Sequence, residues 1–190
     1  MKKKKKYISL YRKNSDNGRI IIDIALENYL EFFHEWDNSA FKKRDIHAEL
    51  VNFLDLCSED IPLKKDLEIV FTLPTNKINK EKEDLIRSSF KNYYSSVLRL
   101  EQRKTKKIIK SSVVLLVIAI TLLTLYGLLN SIRQESIISK VFLESLLIGG
   151  WVFAWEAVHL LFIDILEPFH KYRETKRLLN SNLSFRYSLK

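Results

Sequence analysis

The run SSVVLLVIAITLLTLYGLLN, Ser111 to Asn130, is 20 residues without a charge. As a helix it is about 30 Å long, the thickness of a hydrocarbon core. A soluble chain of 190 residues has little interior in which to hide a helix that is apolar on every face. The run therefore predicts a transmembrane helix. Ten residues later a second apolar stretch begins, Val141 to Leu166, 26 residues long. A single crossing would strand the tail on the far side. The two stretches are expected to form a helical hairpin, with 131–140 as its extracytoplasmic loop.

Charge sets the expected orientation. Arg99, Arg103, Lys104, Lys106, Lys107 and Lys110 precede the first run, and Lys171, Arg173, Lys176 and Arg177 follow the second. The connection between the runs carries only Arg133 and Lys140. The positive-inside rule places both termini in the cytoplasm, so the cytoplasmic membrane is the expected location. The net charge of +9 is concentrated at these flanks, which makes anionic lipid at the cytoplasmic face the simplest partner. Nucleic acid or a nucleotide remains open. The start MKKKKKYISLYRKNSDNG lacks the apolar stretch of a signal peptide. The single cysteine, Cys57, fits a reducing compartment.

Outward from the hairpin, residues 1–18 read as a basic, mobile N-terminus. Residues 19–78 read as a cytosolic α/β domain. RIIIDIAL, Arg19 to Leu26, is β-branched and short, which predicts a strand. Asp45 is a candidate cap for a helix over Ile46 to Glu59, with Ile46, Leu50, Phe53, Leu54 and Cys57 on one face. DLEIVFTLP, Asp66 to Pro74, predicts a second strand that its proline ends. Residues 79–110 read as a long juxtamembrane helix that runs into the first span. Its Ile86, Phe90, Tyr93, Val97 and Leu100 alternate spacings of four and three, a coiled-coil-like seam that asks for a second copy. Residues 167–190 read as a basic tail, helical at Pro168 and then frayed. Two strands joined by a helix are expected to lie parallel, and two strands alone make a marginal sheet. Either YISLY or another copy of the chain is expected to complete it. The fold class expected is an α+β membrane protein: a small β-α-β-α cytosolic domain whose long helix leads into a two-helix transmembrane hairpin.

Common catalytic and phosphate-cradling motifs are absent: Gly18, Gly127, Gly149 and Gly150 build no GxxxxGK[ST] or GxGxxG loop. No enzymatic activity, cofactor or metal is expected. One polar loop, HEWDNSAFKKRDIH, gathers Trp36, Asp37, Ser39, Arg44 and Asp45. Asp and Ser in loops ordinarily bond nearby backbone. A metal or anion site is the functional reading of the same residues. Phe33, Trp36, Asp37, Ser39, Phe41, Arg44 and Asp45, with Leu73 and Pro74 ending the second strand, make a pattern that resembles an uncharacterised family of small bacterial two-span membrane proteins. The likeness covers about residues 19–166 and implies the architecture, not an activity.

The second apolar stretch contains WVFAWEAVHLLFID, Trp151 to Asp164. At 100° per residue Ser145, Gly149, Glu156 and His159 fall on one stripe. A carboxylate at the bilayer centre costs at least about 3 kcal/mol, so the stripe should face protein or water. It is either a pore lining or proton site, or a Glu–His pair acting as polar glue between helices. Trp151 and Trp155 are expected to pack against a neighbouring helix. The leading expectation is a two-pass, oligomeric membrane protein that binds or gates through its cytosolic domain. The alternative is a membrane-permeabilising pore or ion-channel effector of antiviral (anti-phage) defence, gated by a nucleotide or nucleic acid. A membrane-tethered metal-dependent enzyme using the Asp37–Asp45 loop is the second alternative.

Overall fold

The computed structural model describes residues 10–33, 46–75, 77–131 and 136–188. The chain divides into two compact units, one of residues 1–99 with 171–190 and one of residues 100–170.

The first unit is built on a four-stranded sheet in the order β1 (Arg12–Lys13), β2 (Ile20–Ala25), β3 (Leu67–Leu73), β4 (Asn182–Tyr187). β1 pairs antiparallel with β2, while β2–β3 and β3–β4 are parallel. The two inner strands are rich in Ile, Val, Leu and Phe, as a pleated, buried surface favours. Ile20, Ile22 and Ile24 align with Leu67, Ile69 and Phe71, and the last two align in turn with Leu183 and Phe185. This face forms one core with Val51, Leu54 and Cys57 of α1 (Ala48–Asp60), Ile86, Phe90 and Tyr94 of α2 (Lys80–Asn130), and Leu178 of α4 (Leu166–Leu179). Successive right-handed parallel crossovers running the same way bring their helices to one face. The other face is the more polar one, although it also carries Ile21 and the buried Val70. There Ser184 Oγ donates to Glu68 Oε1 at 2.7 Å, Asn14 Nδ2 donates to Glu68 Oε2 at 2.7 Å, and Arg12 grips Asp23 with two nitrogens.

Several sequence expectations change. The tail does not fray: Asn182–Tyr187 is a strand paired with β3 along six residues. The sheet is therefore completed from within the chain. NSDNG is also ordered. Gly18 takes the positive φ of 71° that lets the turn close, with its N–H on Asn14 O at 3.0 Å, and leads β1 into β2. On α1, Val51 is buried while Phe53 is 45% exposed. The expected oligomer seam is the largest correction. Ile86 and Phe90 are buried in the chain's own core, with Tyr94 fully buried beside them and Tyr93 partly so; Val97 is half-buried and Leu100 is exposed. A straight helix lying on a sheet follows the i, i+4 row Ile86–Phe90–Tyr94, which overlaps the first part of a heptad. The spacing could not tell a sheet in the same chain from a helix in another.

The second unit contains the C-terminal half of α2, α3 (Ile137–His159), a π-turn (Leu160–Asp164) and the start of α4. Each of its two helical stretches is long and apolar enough to cross a membrane, with mean hydropathy 2.6 and 1.8 over the best window and only 11% of that window buried.

Candidate functional site

Two regions place chemistry-bearing residues together. The first is the hairpin. α3 buries Leu143, Gly150 and Ala157, seven residues apart, while α2 buries Ser112 and Ala119, also seven apart. These are matching stripes of an antiparallel pair. Ser112 Oγ donates to Ala157 O at 2.8 Å, which fixes the register at one end. Gly150 fixes it further along, since a Cβ there would lie 2.7 Å from Leu123 Cγ and 3.5 Å from Ala119 O. A side chain at position 150 would have to displace Leu123.

That register moves the expected intramembrane stripe. Ala157 lies opposite Ser112, the second residue of the uncharged run. Glu156 is thus level with the first turn of the run, and His159 is level with the lysines that precede it. Both are about 11 Å or more from the middle of the run at 1.5 Å per residue. The sequence alone placed them mid-span because Val141–Leu166 is longer than a bilayer needs; its last turns extend past the end of the partner run. Nor does the stripe face the other helix. Ser145 and Glu156 are exposed, and Ser145 Oγ donates to Val141 O of its own helix at 2.8 Å. Gly149 is the stripe member nearest α2: a Cβ added there would lie 3.7 Å from Leu122 Cδ1. Trp151 and Trp155 also point outward, 65% and 72% exposed, so neither packs on the partner helix.

His159 instead faces Asp164, Nδ1 to Oδ1 3.6 Å, longer than a hydrogen bond. Residues five apart point about 140° away from each other on an α-helix. The wider π-turn, Leu160–Asp164, brings them to one side. Such turns recur at functional positions in other helices. Nothing in the spacing HLLFID advertised it.

The second region is a cleft of about 670 Å³ at the carboxyl end of β2. Its rim is built from Leu26, Asn28 and the short 3-10 helix Tyr29–Phe32 on one side and the start of α1 on the other. Asn28 Oδ1 accepts from Leu30 N–H at 2.7 Å, and Glu31 Oε2 accepts from Glu27 N–H at 2.8 Å. His47 Nδ1 accepts from Glu49 N–H at 3.3 Å and so caps α1, where Asp45 was expected to. Phe33 and Ile46 form an antiparallel bridge, and His47 N–H donates to Phe32 O at 2.9 Å. The bridge closes the base of the segment carrying Trp36, Asp37, Ser39, Arg44 and Asp45, which lie outside the described residues. Among the described residues no group of three or more His, Cys, Asp or Glu could hold a metal.

Two polar clusters, one buried and one part-buried, escaped the sequence reading. Arg177 on α4 donates to Ser58 O, Ile61 O and Pro62 O, closing the end of α1 with a guanidinium. Burial holds its pKa below the usual arginine value, with Glu174 and Asp66 opposing. Tyr187 at the end of β4 donates to Glu83 of α2 and lies 3.0 Å from the Tyr29 hydroxyl. Burial, followed by the bonds to Glu83 and Tyr29, pushes the Tyr187 phenol well above its ordinary pKa. A tail read as frayed offered no reason to look for either. In comparisons with protein families, with curated proteins and with solved structures, the chain matches none.

Proposed function

We propose that the chain is a two-pass membrane protein whose hairpin anchors a cytosolic α/β binding module, with both chain ends on the basic side. One observation carries the reading. β3 precedes the hairpin, β4 follows it, and the two pair in parallel over six residues in one sheet. Both flanks must then be on the same side of anything the hairpin crosses. The apolar helices, almost unburied, fit lipid as their surroundings. The register supports this too: Glu156, His159 and Trp155 come level with the start of the uncharged run, beside Lys107 and Lys110, where an amphipathic belt and anionic headgroups belong. Each basic residue there adds about 1 kcal/mol of attraction to an anionic leaflet.

A binding or anchoring role fits this hairpin better than conduction. By the same register Glu144 comes level with Leu125, about 7 Å from the middle of the run, and Glu156 with Val113, about 11 Å from it on the other side; both are exposed, while Thr121 and Ser145 bond their own backbones. Among the described residues no line of polar groups runs the length of the pair. Self-association also loses two of its reasons, since the seam and the sheet both find partners inside the chain.

Cysteine labelling tests the topology. With Cys57→Ser as background, Ser131→Cys should react with a membrane-impermeant maleimide on intact bacterial cells expressing the protein. Ser188→Cys should react only after permeabilisation. Labelling of position 188 in intact cells, or recovery of the protein in the soluble fraction, would overturn the reading.

A further inference from the structure

Val141, Glu144, Ile148, Trp151, Trp155 and Val158 alternate spacings of three and four, so they form one line along α3. All six are exposed. At 100° per residue the line lies roughly 130° around the helix from the buried Leu143, Gly150 and Ala157. Spacing alone decides little, as the residues Ile86 to Leu100 of α2 show. Here the chain's own helices leave the line open, and the depth of two of its members matters. The register of Ala157 on Ser112 puts Glu144 level with Leu125, about 7 Å from the middle of the uncharged run. It puts Trp151 level with Ile118, about 4 Å from the middle. Hydrocarbon offers no hydrogen-bond partner to a carboxyl or to an indole N–H. Trp151 is also too deep for the interfacial belt where indoles meet water. Lys140, one turn nearer the loop, makes no ion pair with Glu144. Ionisable groups at such depth ordinarily face protein or a water-filled space. Among the described residues nothing in the hairpin covers this line.

We propose that this face of α3 packs against the same face of a second copy of the chain, in a parallel pair about an axis normal to the membrane. Every copy enters the bilayer in the same direction, so each layer of the line meets its counterpart at the same depth. The two Glu144 carboxyls then meet between layers of Val141 and Ile148, where one donates a hydrogen bond that the other accepts. Trp151 gains a protein surface in place of acyl chains. One polar layer in an otherwise apolar seam also fixes the register of a helix pair. A different partner would need to bring a polar group to this one depth; a copy does so by symmetry. The proposal rests on the hairpin crossing a membrane. It uses a face distinct from the α2 residues that the chain's own core buries.

The experiment uses the full chain in membranes of bacteria expressing it, with Cys57→Ser as background and iodine as an oxidant that enters the bilayer. Ile148→Cys, on the line, should give a disulfide-linked product of twice the chain's mass. Phe142→Cys, exposed on the far side of α3, should give only a trace of it. With Ile148→Cys present, Glu144→Gln should keep the product, since side-chain amides also bond across helices. Glu144→Lys should lose it, because two ammonium groups at one depth repel each other and neither can accept a hydrogen bond. Equal linkage from positions 148 and 142 would mean chance collision and would overturn the proposal, whether or not the Lys variant inserts. A product of any other mass would identify a different partner and overturn it too, as would linkage that survives Glu144→Lys. A chain that is membrane-bound but unlinked at position 148 overturns the pairing and leaves the hairpin reading intact. A chain found in the soluble fraction removes the hairpin reading and the pairing with it.

Discussion

Glu68 shows how one side chain can report on the whole first unit. It stands on the polar face of the sheet, yet it is only 7% exposed, and its two oxygens take hydrogen bonds from Ser184 and Asn14. Ser184 lies on the last strand and Asn14 in the first turn, so the carboxylate ties both ends of the unit to its centre. The Ser184 bond holds the carboxyl below its ordinary pKa; burial pushes the other way, and Asn14 adds to the lowering. A group depressed in the folded state contributes stability above its unfolded pKa and loses it as pH falls through the folded value. Thermal melts of the natural chain and of Glu68→Gln should therefore differ most near neutral pH. The gap should narrow below pH of about 4.3, the unfolded glutamate value. A gap that is constant with pH would show that the ionised form is not what the fold selects. Gly150 makes a second residue-scale case. The sequence singled out Gly149, on the expected stripe, whereas the packing singles out Gly150. Gly127 has nothing within 4 Å of a would-be Cβ, whereas Gly150 has Leu123 at 2.7 Å. Gly150→Val should weaken the hairpin by about 1–3 kcal/mol, the usual range for overpacking, while Gly127→Ala should be neutral or slightly stabilising. Denaturant titration of the two variants decides; equal effects would refute the register drawn through Ser112 and Ala157.

At the scale of elements, what the sequence made legible follows from signal strength. IIIDIA and LEIVFTL are β-branched and apolar, and they appear as strands within a residue or two of expectation, at Ile20–Ala25 and Leu67–Leu73. The helix Ala48–Asp60 and the long helix from Lys80 were legible for similar reasons of periodicity. NLSFRY was not. It is six residues with one aliphatic side chain, follows a basic helix, and owes its strand state to a partner 114 positions earlier in the register Glu68↔Asn182. Local propensity carries no record of such a partner. The same argument applies to Arg177, whose acceptors Ser58, Ile61 and Pro62 are more than 100 residues away. The strand makes a sharp prediction. Ending the chain at Leu179 removes Leu183 and Phe185 from the core face and leaves one edge of β3 bare. Losing one buried Leu and one Phe costs about 2–5 kcal/mol each, against a total of about 5–15 kcal/mol for a domain. The truncated protein should therefore be unfolded or protease-sensitive in the segment 67–73 under conditions where the full chain resists. Unchanged resistance would restore the frayed tail.

The whole molecule follows from one topological fact: the sheet is closed by strands on both sides of the hairpin. Its core cluster takes Ile86, Phe90 and Tyr94 from before the apolar segments and Leu178 and Leu183 from after them. The hairpin is therefore inserted into the domain and is not appended to its end. An inserted segment whose own unit is compact should be removable without loss of the host fold, provided that the ends can be rejoined. The boundary between the units falls after Arg99 and before Lys171. A Gly/Ser linker of about eight residues, with a typical reach of about 15 Å, can replace 100–170. The excised protein loses both stretches of high hydropathy and keeps the Tyr187–Glu83 bond, the Lys171–Asp55 ion pair at 2.9 Å and the Arg177 closure of α1. It should be recovered from the soluble fraction without detergent. It should show a mixed α/β circular dichroism spectrum and a single cooperative melt. Tyr187→Phe in that background should lower the midpoint, because a hydroxyl that joins β4 to α2 is lost while the ring remains. A protein that is insoluble or melts without cooperativity would mean that the apolar helices are part of the domain's own core, and the membrane reading of the hairpin would lose its main support.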